Sequence, residues 1–444
     1  MYTSLRLLCI LVWMAGFVTA NAQAIKVEFR KADDGNWQLY RAGEPYYIRG
    51  AGGSTQLDKL VSIGGNSIRT WSTDNAREVL DAAHAKGLTV MMGLWVQHER
   101  HGFDYNDKEK VRLQLEGFTR VVKELKDHPA LLLWGVGNEV DLNYSNTAVW
   151  DAINDIARMI HEVDPNHPTS TVTAGLDPEE VRLIKAKAPH IDIYGINTYG
   201  DLGKVKEGIR KAGWEGPYII SEWGPNGHWE VSKTAWGAPV EQTSTEKANS
   251  YEERYTQFIA GDKEKCIGSY VFLWGQKQET TSTWYGLFSE RGEACEALDR
   301  IERIWTGKPS ANSAPGIDSL KVEGQERGSP IYLVAESVFE TSVAVNDPDG
   351  DKLKVTWQLI PESTDIRSGG DAESAPQAIP GALLKNRGEQ ARFRAPRSEG
   401  AYRVFVTITD GKGHYAYGNV PVYVVPRDKN AEPARAVSFK KMSL

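Results

Sequence analysis

The sequence predicts an α/β fold, a (β/α)8 TIM barrel, followed by a small C-terminal all-β sandwich. The first observation is that short apolar runs alternate with amphipathic stretches from Ile25 to about Thr306, which is the pattern of repeated βα units. The second is a change of composition beyond a segment rich in Pro, Ser and Ala. The chain has 444 residues, enough for one barrel of roughly 250 to 300 residues and a smaller domain.

Eight apolar runs are interpreted as the barrel strands. In chain order they are Tyr46 to Arg49, Ser67 to Thr70, Leu88 to Gly93, Leu131 to Gly135, Thr169 to Thr173, Ile191 to Ile196, Tyr218 to Ser221 and Gly268 to Leu273. Helical patterns precede strands three, four, five, seven and eight, at Ala76 to Lys86, Lys108 to Lys126, Ala148 to Val163, Lys204 to Ala212 and Glu246 to Lys265. The glycines of Arg49-Gly-Ala-Gly-Gly53 lack phosphate-binding spacing, so we favour tight packing at the barrel mouth over a nucleotide turn.

The C-terminal part has the alternating pattern of a β-sandwich. Its strands include Thr341 to Val345, Lys354 to Leu359 and Tyr402 to Ile408, with Asp-Gly turns between them. We predict a barrel domain at 23–308, a linker at 309–316, a sandwich at 317–426 and a polar tail at 427–444.

The first 22 residues have the pattern of a secretory signal peptide, with Arg6, the apolar run Leu7 to Val18 and the cleavage motif Ala20-Asn-Ala22. We therefore expect a secreted or periplasmic product. No later segment reaches the roughly 18 apolar residues of a membrane span. The net charge of -7 argues against nucleic acid, whose binding depends on clustered Lys and Arg.

Two cysteines, Cys266 and Cys295, follow the predicted leader. Two are too few for a disulfide scaffold, so the fold depends on its hydrophobic core. Whether they pair stays open.

Two glutamates end apolar runs where a barrel places its catalytic groups. Glu139 ends Leu131-Leu-Leu-Trp-Gly-Val-Gly-Asn-Glu139, and Glu222 ends Tyr218-Ile-Ile-Ser-Glu222. The loops at the C-terminal ends of the strands form the working face of such a barrel. Hydrolysis of a glycosidic bond requires one carboxyl group to protonate the leaving oxygen and another to stabilise or capture the developing cation. We therefore predict that these two residues are catalytic.

The motifs Gly137-Asn138-Glu139 and Ser221-Glu222-Trp223, on strands four and seven, resemble glycoside hydrolase clan A. That clan contains the retaining β-glycosidases, and the resemblance spans about Ile25 to Trp305. It implies that Glu222 is the nucleophile and that Glu139 is the general acid and later the general base.

The resemblance also implies roles for polar residues near the pair. Arg69 would hold Glu222 ionised, although a salt bridge without catalytic effect gives the same pattern. Asn138 would bind the sugar 2-hydroxyl or stabilise a turn. Tyr199 would orient the nucleophile or simply fill the barrel mouth.

Aromatic residues supply the remaining substrate-binding candidates, Trp95, Trp223 and Trp274. A flat indole covers the apolar face of a pyranose ring, and Trp274 resembles the clan's sugar platform on strand eight. Further tryptophans at strand ends or in the following loops are Trp71, Trp236 and Trp284. A core position is the alternative for each single tryptophan.

Two sets of possible metal ligands are present. His98 and His101 lack a further spaced ligand set, so we favour polar contacts. Asp347, Asp349 and Asp351 suit a tight acidic turn better than a Ca²⁺ loop, because no distal Glu completes one. We predict no metal and no cofactor.

Within the clan, the chain resembles the barrel domain of glycoside hydrolase family 2. It departs from that family because only about twenty residues lie between the predicted cleavage site and the first strand, so the N-terminal sugar-binding sandwich is missing. Freestanding barrels followed by an immunoglobulin-like or polycystic-kidney-type domain look like secreted endo-β-glucanases. We therefore favour an endo-acting β-glucanase, with β-1,3-glucan as substrate, while mannan or a galactoside stays open. The alternatives are a β-glucanosyltransferase with the same residues and a non-catalytic glycan-binding protein.

Overall fold

The computed structural model describes residues 23–427. The predicted signal peptide at 1–22 and all but the first residue of the predicted tail at 427–444 lie outside the described residues. Within the described range, no helix is long and apolar enough to cross a membrane.

A three-stranded antiparallel sheet precedes the barrel, formed by β1 (Val27–Lys31), β2 (Trp37–Arg41) and β3 (Glu44–Pro45). It contacts segments that lead into barrel strands, since the backbone N–H of Val27 donates to the carbonyl of Asn166 at 2.8 Å. The sheet therefore covers the N-terminal end of the barrel. The sequence did not predict it because its strands are half-exposed and lack continuous apolar runs.

Eight parallel strands close into a barrel, which confirms the predicted fold. They are β4 (Ile48–Gly52), β5 (Ser67–Arg69), β6 (Thr89–Leu94), β7 (Leu131–Val136), β8 (Thr169–Ala174), β9 (Ile193–Asn197), β10 (Tyr218–Trp223) and β11 (Cys266–Val271). Each overlaps its predicted run, and no end differs by more than three residues. The glycines after the first strand do serve close packing, because a Cβ at Gly53 would lie 2.5 Å from the carbonyl oxygen of Trp274.

The barrel strands are buried on both faces, and for this reason they appear in the sequence as continuous apolar runs. Inside the barrel, Leu133 packs with Met91 and Val172 from neighbouring strands. Outside, Leu131 and Val136 belong to the larger hydrophobic cluster formed with the helices. Both faces of each strand are thus occupied by packing, which leaves the strand ends and loops for chemistry.

The α-helices in the described part of the chain are α1 (Leu57–Ser62), α2 (Ala76–Ala85), α3 (Lys108–Leu125), α4 (Ala148–Val163), α5 (Pro178–Lys187), α6 (Val205–Ala212), α7 (Ser244–Arg254) and α8 (Glu296–Thr306). The predicted helices correspond to α2, α3, α4, α6 and α7. The last of these is shorter than predicted because it changes to a π-helical turn at Tyr255–Ile259. The sequence analysis missed α5, although Asp177 caps it and Pro178 is its first residue.

Two five-stranded sheets form the C-terminal sandwich. Their strands are β12 (Ala294–Cys295), β13 (Gly316–Val322), β14 (Gln325–Glu326), β15 (Tyr332–Val334), β16 (Val338–Asn346), β17 (Lys354–Pro361), β18 (Leu383–Asn386), β19 (Gln390–Arg394), β20 (Gly400–Thr409) and β21 (His414–Val425). Inward residues of both sheets, such as Val343 and Val404, share one core. The predicted domain boundaries and the likeness to immunoglobulin-like domains stay predictions.

The acidic segment of the sandwich forms a hydrogen-bonded turn. Asp347 Oδ1 accepts hydrogen bonds from the backbone N–H groups of Asp349 and Asp351, each at 3.0 Å. Asp351 also pairs with Lys412. These partners suit the tight acidic turn that the sequence analysis favoured.

A buried charged cluster joins the sandwich to the barrel. Glu241 accepts hydrogen bonds from Lys247 Nζ and from Asn419 Nδ2, each at 2.6 Å. Arg403 donates to Asn419 Oδ1 at 2.7 Å and to Glu362 Oε1 at 2.6 Å. The cluster thereby fixes the sandwich against the barrel and holds Glu362, the residue that follows β17.

Cys266 and Cys295 are both buried and unpaired. Burial raises the pKa of each thiol to about 12. Both therefore act as small apolar core residues.

Candidate active site

A cavity of about 1350 Å³ opens at the C-terminal ends of the barrel strands. Glu139 and Glu222 both line it, so the structure brings the two predicted catalytic residues into one site. The cavity continues over α6, where Gly208 and Lys211 contribute to its wall. It therefore extends well beyond the two carboxyl groups.

Glu222 lies on β10 with three donors around its carboxylate. Arg69 Nη1 donates to Oε1 at 3.0 Å, Trp71 Nε1 donates to the same oxygen at 2.7 Å, and the Tyr199 hydroxyl donates to Oε2 at 2.9 Å. Burial raises the pKa of the Tyr199 phenol, which keeps it a donor. Glu222 therefore accepts a charge-assisted hydrogen bond from Arg69 and neutral hydrogen bonds from Trp71 and Tyr199.

Glu139 follows β7 with a backbone φ of 49°, a conformation that is costly for a non-glycine residue and is found most often at functional sites. Its Oε1 accepts a hydrogen bond from Asn197 Nδ2 at 2.8 Å, while Oε2 has no hydrogen-bond partner among residues 23–427. Burial, and then the charge of Glu222, raise the pKa of Glu139 to about 8. Glu139 therefore carries a proton near neutral pH and presents an oxygen without a protein partner.

Arg69, Asn138 and Asn197 connect the two glutamates through hydrogen bonds. Arg69 Nη2 donates to Asn138 Oδ1 at 2.6 Å, and Arg69 Nη1 donates to Asn197 Oδ1 at 3.2 Å. Asn197 Nδ2 also donates to Asn138 Oδ1, at 3.1 Å. Asn138 therefore serves as a double acceptor through Oδ1, and its Nδ2, which has no partner within the described range, is available in the cavity that Asn138 lines.

Aromatic side chains form much of the cavity wall. Trp71 and Trp95 line it, as do Phe272 and Trp229. Trp229 is 56% exposed, the largest exposed fraction among the large hydrophobic residues of the described chain. An exposed indole in the cavity that Glu139 and Glu222 line is suited to covering the face of a sugar ring.

The structure corrects the prediction that Trp223 and Trp274 contact substrate. Trp223 is fully buried and packs against Tyr251 and Tyr255 on the outer side of the barrel, because its position on β10 points away from the barrel axis. Trp274 is 1% exposed and donates from Nε1 to the carbonyl of Thr55 at 2.9 Å. Both residues stabilise the core, and neither lines the cavity.

The two histidines make polar contacts. His98 Nε2 lies 2.6 Å from the carbonyl oxygen of Asn138, and burial lowers the pKa of His98 to about 4, so the neutral ring donates to that oxygen. His101 Nε2 lies 3.0 Å from Asp371 Oδ2. Among residues 23–427, no group of three His, Cys, Asp or Glu side chains is arranged to hold a metal ion.

Several residues that line the site are absent from the sequence prediction, among them Trp229 and Glu279, and two further contributors differ in whether they could have been found. Asn197 could have been found, since it is a polar residue at the C-terminal end of a recognised strand. The other is the segment Ile366 to Asp371 of the sandwich, which lines the same cavity. No local sequence pattern indicates that this segment lines the cavity, because its position depends on how the sandwich packs against the barrel.

One family model and several known proteins are similar to parts of this chain. Residues 56–234 match the model of the family described as glycosyl hydrolases family 2, TIM barrel domain. A β-galactosidase of Leuconostoc mesenteroides subsp. mesenteroides is 23% identical over 135 residues, which are 28% of this chain and 12% of that protein. The solved structure of a β-D-glucuronidase from Dictyoglomus thermophilum has a TM-score of 0.50 and 17% identity, covering 64% of this chain and 54% of that one.

These matches span only part of each known protein. The likeness to the glucuronidase structure concerns the fold alone, because the sequence identity is 17%. The match spans about half of the glucuronidase chain and about one eighth of the galactosidase. The family match covers the part of the barrel that carries both Glu139 and Glu222.

Proposed function

We propose that this chain, whose residues 56–234 match the model of the glycosyl hydrolase family 2 TIM-barrel domain, is a retaining β-glycoside hydrolase. The proposal is carried by the difference between two carboxyl groups in one cavity. Glu222 receives three hydrogen bonds, one of them from the guanidinium of Arg69, whereas Glu139 receives one. Retention needs an ionised nucleophile and a protonated acid, and these environments favour that combination.

In the first step, the Glu222 carboxylate forms a bond to the anomeric carbon while the bond from that carbon to the glycosidic oxygen breaks. The proton of Glu139 passes to the departing oxygen, so the leaving group departs as a neutral hydroxyl. The raised pKa of Glu139, about 8, keeps this proton available at neutral pH.

In the second step, Glu139 is ionised and removes a proton from water. The water oxygen attacks the anomeric carbon, and the bond to Glu222 breaks, which restores the starting carboxylate. Arg69, Trp71 and Tyr199 contact the carboxylate of Glu222, so they stabilise it as a leaving group.

We further propose that Asn138 and the cavity tryptophans bind the sugar. The free Nδ2 of Asn138 is suited to donate to a sugar hydroxyl, in agreement with the role implied by the clan resemblance. Trp71, Trp95 and Trp229 present indoles along the cavity. Pyranose rings offer an apolar face to such groups while their hydroxyls bond to polar side chains.

The substrate we propose is a β-linked glycan, with β-1,3-glucan cleaved internally as the first candidate. The cavity of about 1350 Å³ exceeds the roughly 300 to 1,000 Å³ of common small-molecule sites, which favours a ligand of several sugar units. Export from the cytoplasm is part of the proposal and rests on the pattern of residues 1–22.

The first experiment is incubation of the purified protein with a panel of β-glucans, mannan and β-galactosides. Shortened products with retained anomeric configuration support the proposal. Elongated products would identify a glucanosyltransferase, and binding without turnover would identify a glycan-binding protein.

The second experiment assigns the two carboxyl groups. We expect Glu222→Gln to abolish turnover, and we expect azide to restore activity to Glu139→Ala on an activated aryl glycoside. Azide is already an anion, so it attacks the anomeric carbon of the glycosyl-enzyme intermediate without a general base, and the bond to Glu222 breaks to release a glycosyl azide. The matched control is Glu340→Gln on the exposed surface of the sandwich. Near-normal activity of Glu222→Gln would contradict the assignment.

A further inference from the structure

A loop of the sandwich forms part of the cavity wall. Residues 362–382 connect β17 to β18, and we refer to them as the sandwich loop. Its segment Ile366 to Asp371 lines the cavity that also contains Glu139 and Glu222. The second domain thus supplies surface to the candidate active site.

The sandwich loop is attached to two separate barrel loops. After β6, Arg100 Nη1 donates to Asp371 Oδ2 at 2.6 Å and to the carbonyl of Ser368 at 3.1 Å. After β11, Lys277 Nζ donates to the carbonyl of Gly370 at 2.6 Å. The Arg100 side chain is largely buried beneath the loop, so water has little access to compete for its hydrogen bonds to the loop.

Hydrogen bonds within the sandwich loop, and one from the barrel, stabilise the conformation of the loop. Asp365 Oδ2 accepts from the backbone N–H of Ser374 at 3.0 Å and from its hydroxyl at 2.9 Å. Glu373 accepts from the backbone N–H of Arg367 at 3.0 Å, and its other oxygen accepts from the N–H of Thr280 at 2.6 Å. A loop held in this way presents a preformed surface, which lowers the ordering cost of binding a ligand.

The cavity surface at the sandwich loop combines an apolar and a polar group. Ile366 is 44% exposed and lines the cavity. Glu279, on the facing barrel loop, is 7% exposed and lines it as well. Its Oε2 pairs with Lys277 at 2.9 Å, while Oε1 accepts no hydrogen bond from the part of the chain that the structure describes.

We propose that Ile366 and Glu279 form a sugar-binding subsite that is built by the sandwich and the barrel together, on the side of the shared cavity where the sandwich loop lies. Its ligand is a further uncharged sugar unit of a β-linked glycan, whose ring carbons contact Ile366 and whose hydroxyl donates to Glu279 Oε1. The inference rests on the proposed function. The sandwich thereby sets the preference of the enzyme for longer glycan chains.

The experiment compares Glu279→Gln and Ile366→Ser with a control, Leu384→Ser, which alters an equally exposed leucine outside the cavity. KM and kcat are measured on an aryl β-glucoside and on β-1,3-gluco-oligosaccharides from the disaccharide to the hexasaccharide. Loss of one hydrogen bond or apolar contact should raise KM for the longer oligosaccharides about tenfold more than for the aryl glycoside. The control should leave this ratio as in wild type.

Binding of the same oligosaccharides is also measured by calorimetry, with each substitution placed in the Glu222→Gln background, and thermal unfolding of each variant confirms that it is folded. Equal KM changes for short and long substrates, with unchanged oligosaccharide affinity, would overturn the subsite while leaving the proposed function in place. Binding by wild type without turnover would overturn the proposed function, and the affinities of the variants would then decide the subsite. Absence of any binding would overturn β-1,3-glucan as the substrate and the subsite proposed for it, whereas the hydrolase assignment is decided by the panel of β-glucans, mannan and β-galactosides.

Discussion

Asn197 donates a hydrogen bond from Nδ2 to Oε1 of Glu139 over 2.8 Å. Its Oδ1 accepts a hydrogen bond from Arg69, which pairs with Glu222. One amide therefore contacts the candidate acid directly and the candidate nucleophile through a single intervening side chain. The two glutamates are held in fixed relation, although they lie on different strands of the barrel.

We predict that Asn197→Ala lowers kcat/KM by about 100-fold, the scale of losing one preorganised hydrogen bond in an active site. The bond from Asn197 lowers the pKa of Glu139, so its removal should also move the high-pH limb of the activity profile to higher pH. The measurement is kcat/KM as a function of pH. The control is Asn154→Ala, which removes an amide outside the cavity. If the high-pH limb of the Asn197→Ala profile lies at the wild-type pH, the predicted effect of Asn197 on Glu139 is wrong.

The pH profile of the wild-type enzyme should follow the proton of Glu139. Its pKa is raised from 4.5 to about 8, and the acid must be protonated in the first step. Activity should therefore be retained at neutral pH and fall as pH rises through about 8. Azide-rescued Glu139→Ala on an activated aryl glycoside should lack this decline, and its persistence there would assign the decline to another group.

Trp229 and Trp274 should respond in opposite ways to substitution. Trp229 is exposed in the cavity, so Trp229→Ala should raise KM for oligosaccharides about tenfold by loss of sugar contact and leave the melting temperature nearly unchanged. Trp274 is buried, so Trp274→Ala should lower the free energy of unfolding by about 3 to 5 kcal/mol. Kinetics and thermal unfolding of both variants distinguish a sugar contact from a core position.

The buried pair Glu241 and Lys247 should stabilise the joined domains. Removal of one charge leaves the other buried without its partner, so Lys247→Met should cost about 3 to 5 kcal/mol in denaturant unfolding. Although burial raises the pKa of Glu241, the charge of Lys247 and the hydrogen bonds lower it overall. The stabilisation should therefore be present in full above the unfolded-state pKa of Glu241 and be lost as pH falls from that value through the lower folded-state pKa.

The exposed pair Arg392 and Glu340 supplies the control for this prediction. Exposed ion pairs contribute little because water screens them, so Arg392→Met should leave the unfolding midpoint almost unchanged. Equal decreases in the free energy of unfolding for Lys247→Met and Arg392→Met would contradict the prediction that the buried pair stabilises the protein more than the exposed pair.

Much of the barrel could be predicted because its strands are buried on both faces. Burial of this kind produces continuous apolar runs such as Leu131–Val136, which are visible without any knowledge of neighbours. The positions of Glu139 and Glu222 followed from the same runs, since the ends of parallel strands meet at one face of the barrel.

Other features could not be predicted locally. The direction of a tryptophan side chain depends on strand pairing and helix packing, so Trp223 and Trp274 could not be separated from Trp71 and Trp95 by sequence position. Short elements such as β1 and α1 depend on tertiary contacts.

The sequence by itself determined the barrel, the following sandwich and the two carboxyl groups at the strand ends, because periodic burial and strand polarity are encoded in neighbouring residues. Only the tertiary structure decided which donors surround each carboxyl group and that Ile366 of the sandwich reaches the cavity. These relations join residues far apart in the chain, such as Arg100 and Asp371, and they depend on three-dimensional packing that no local pattern records.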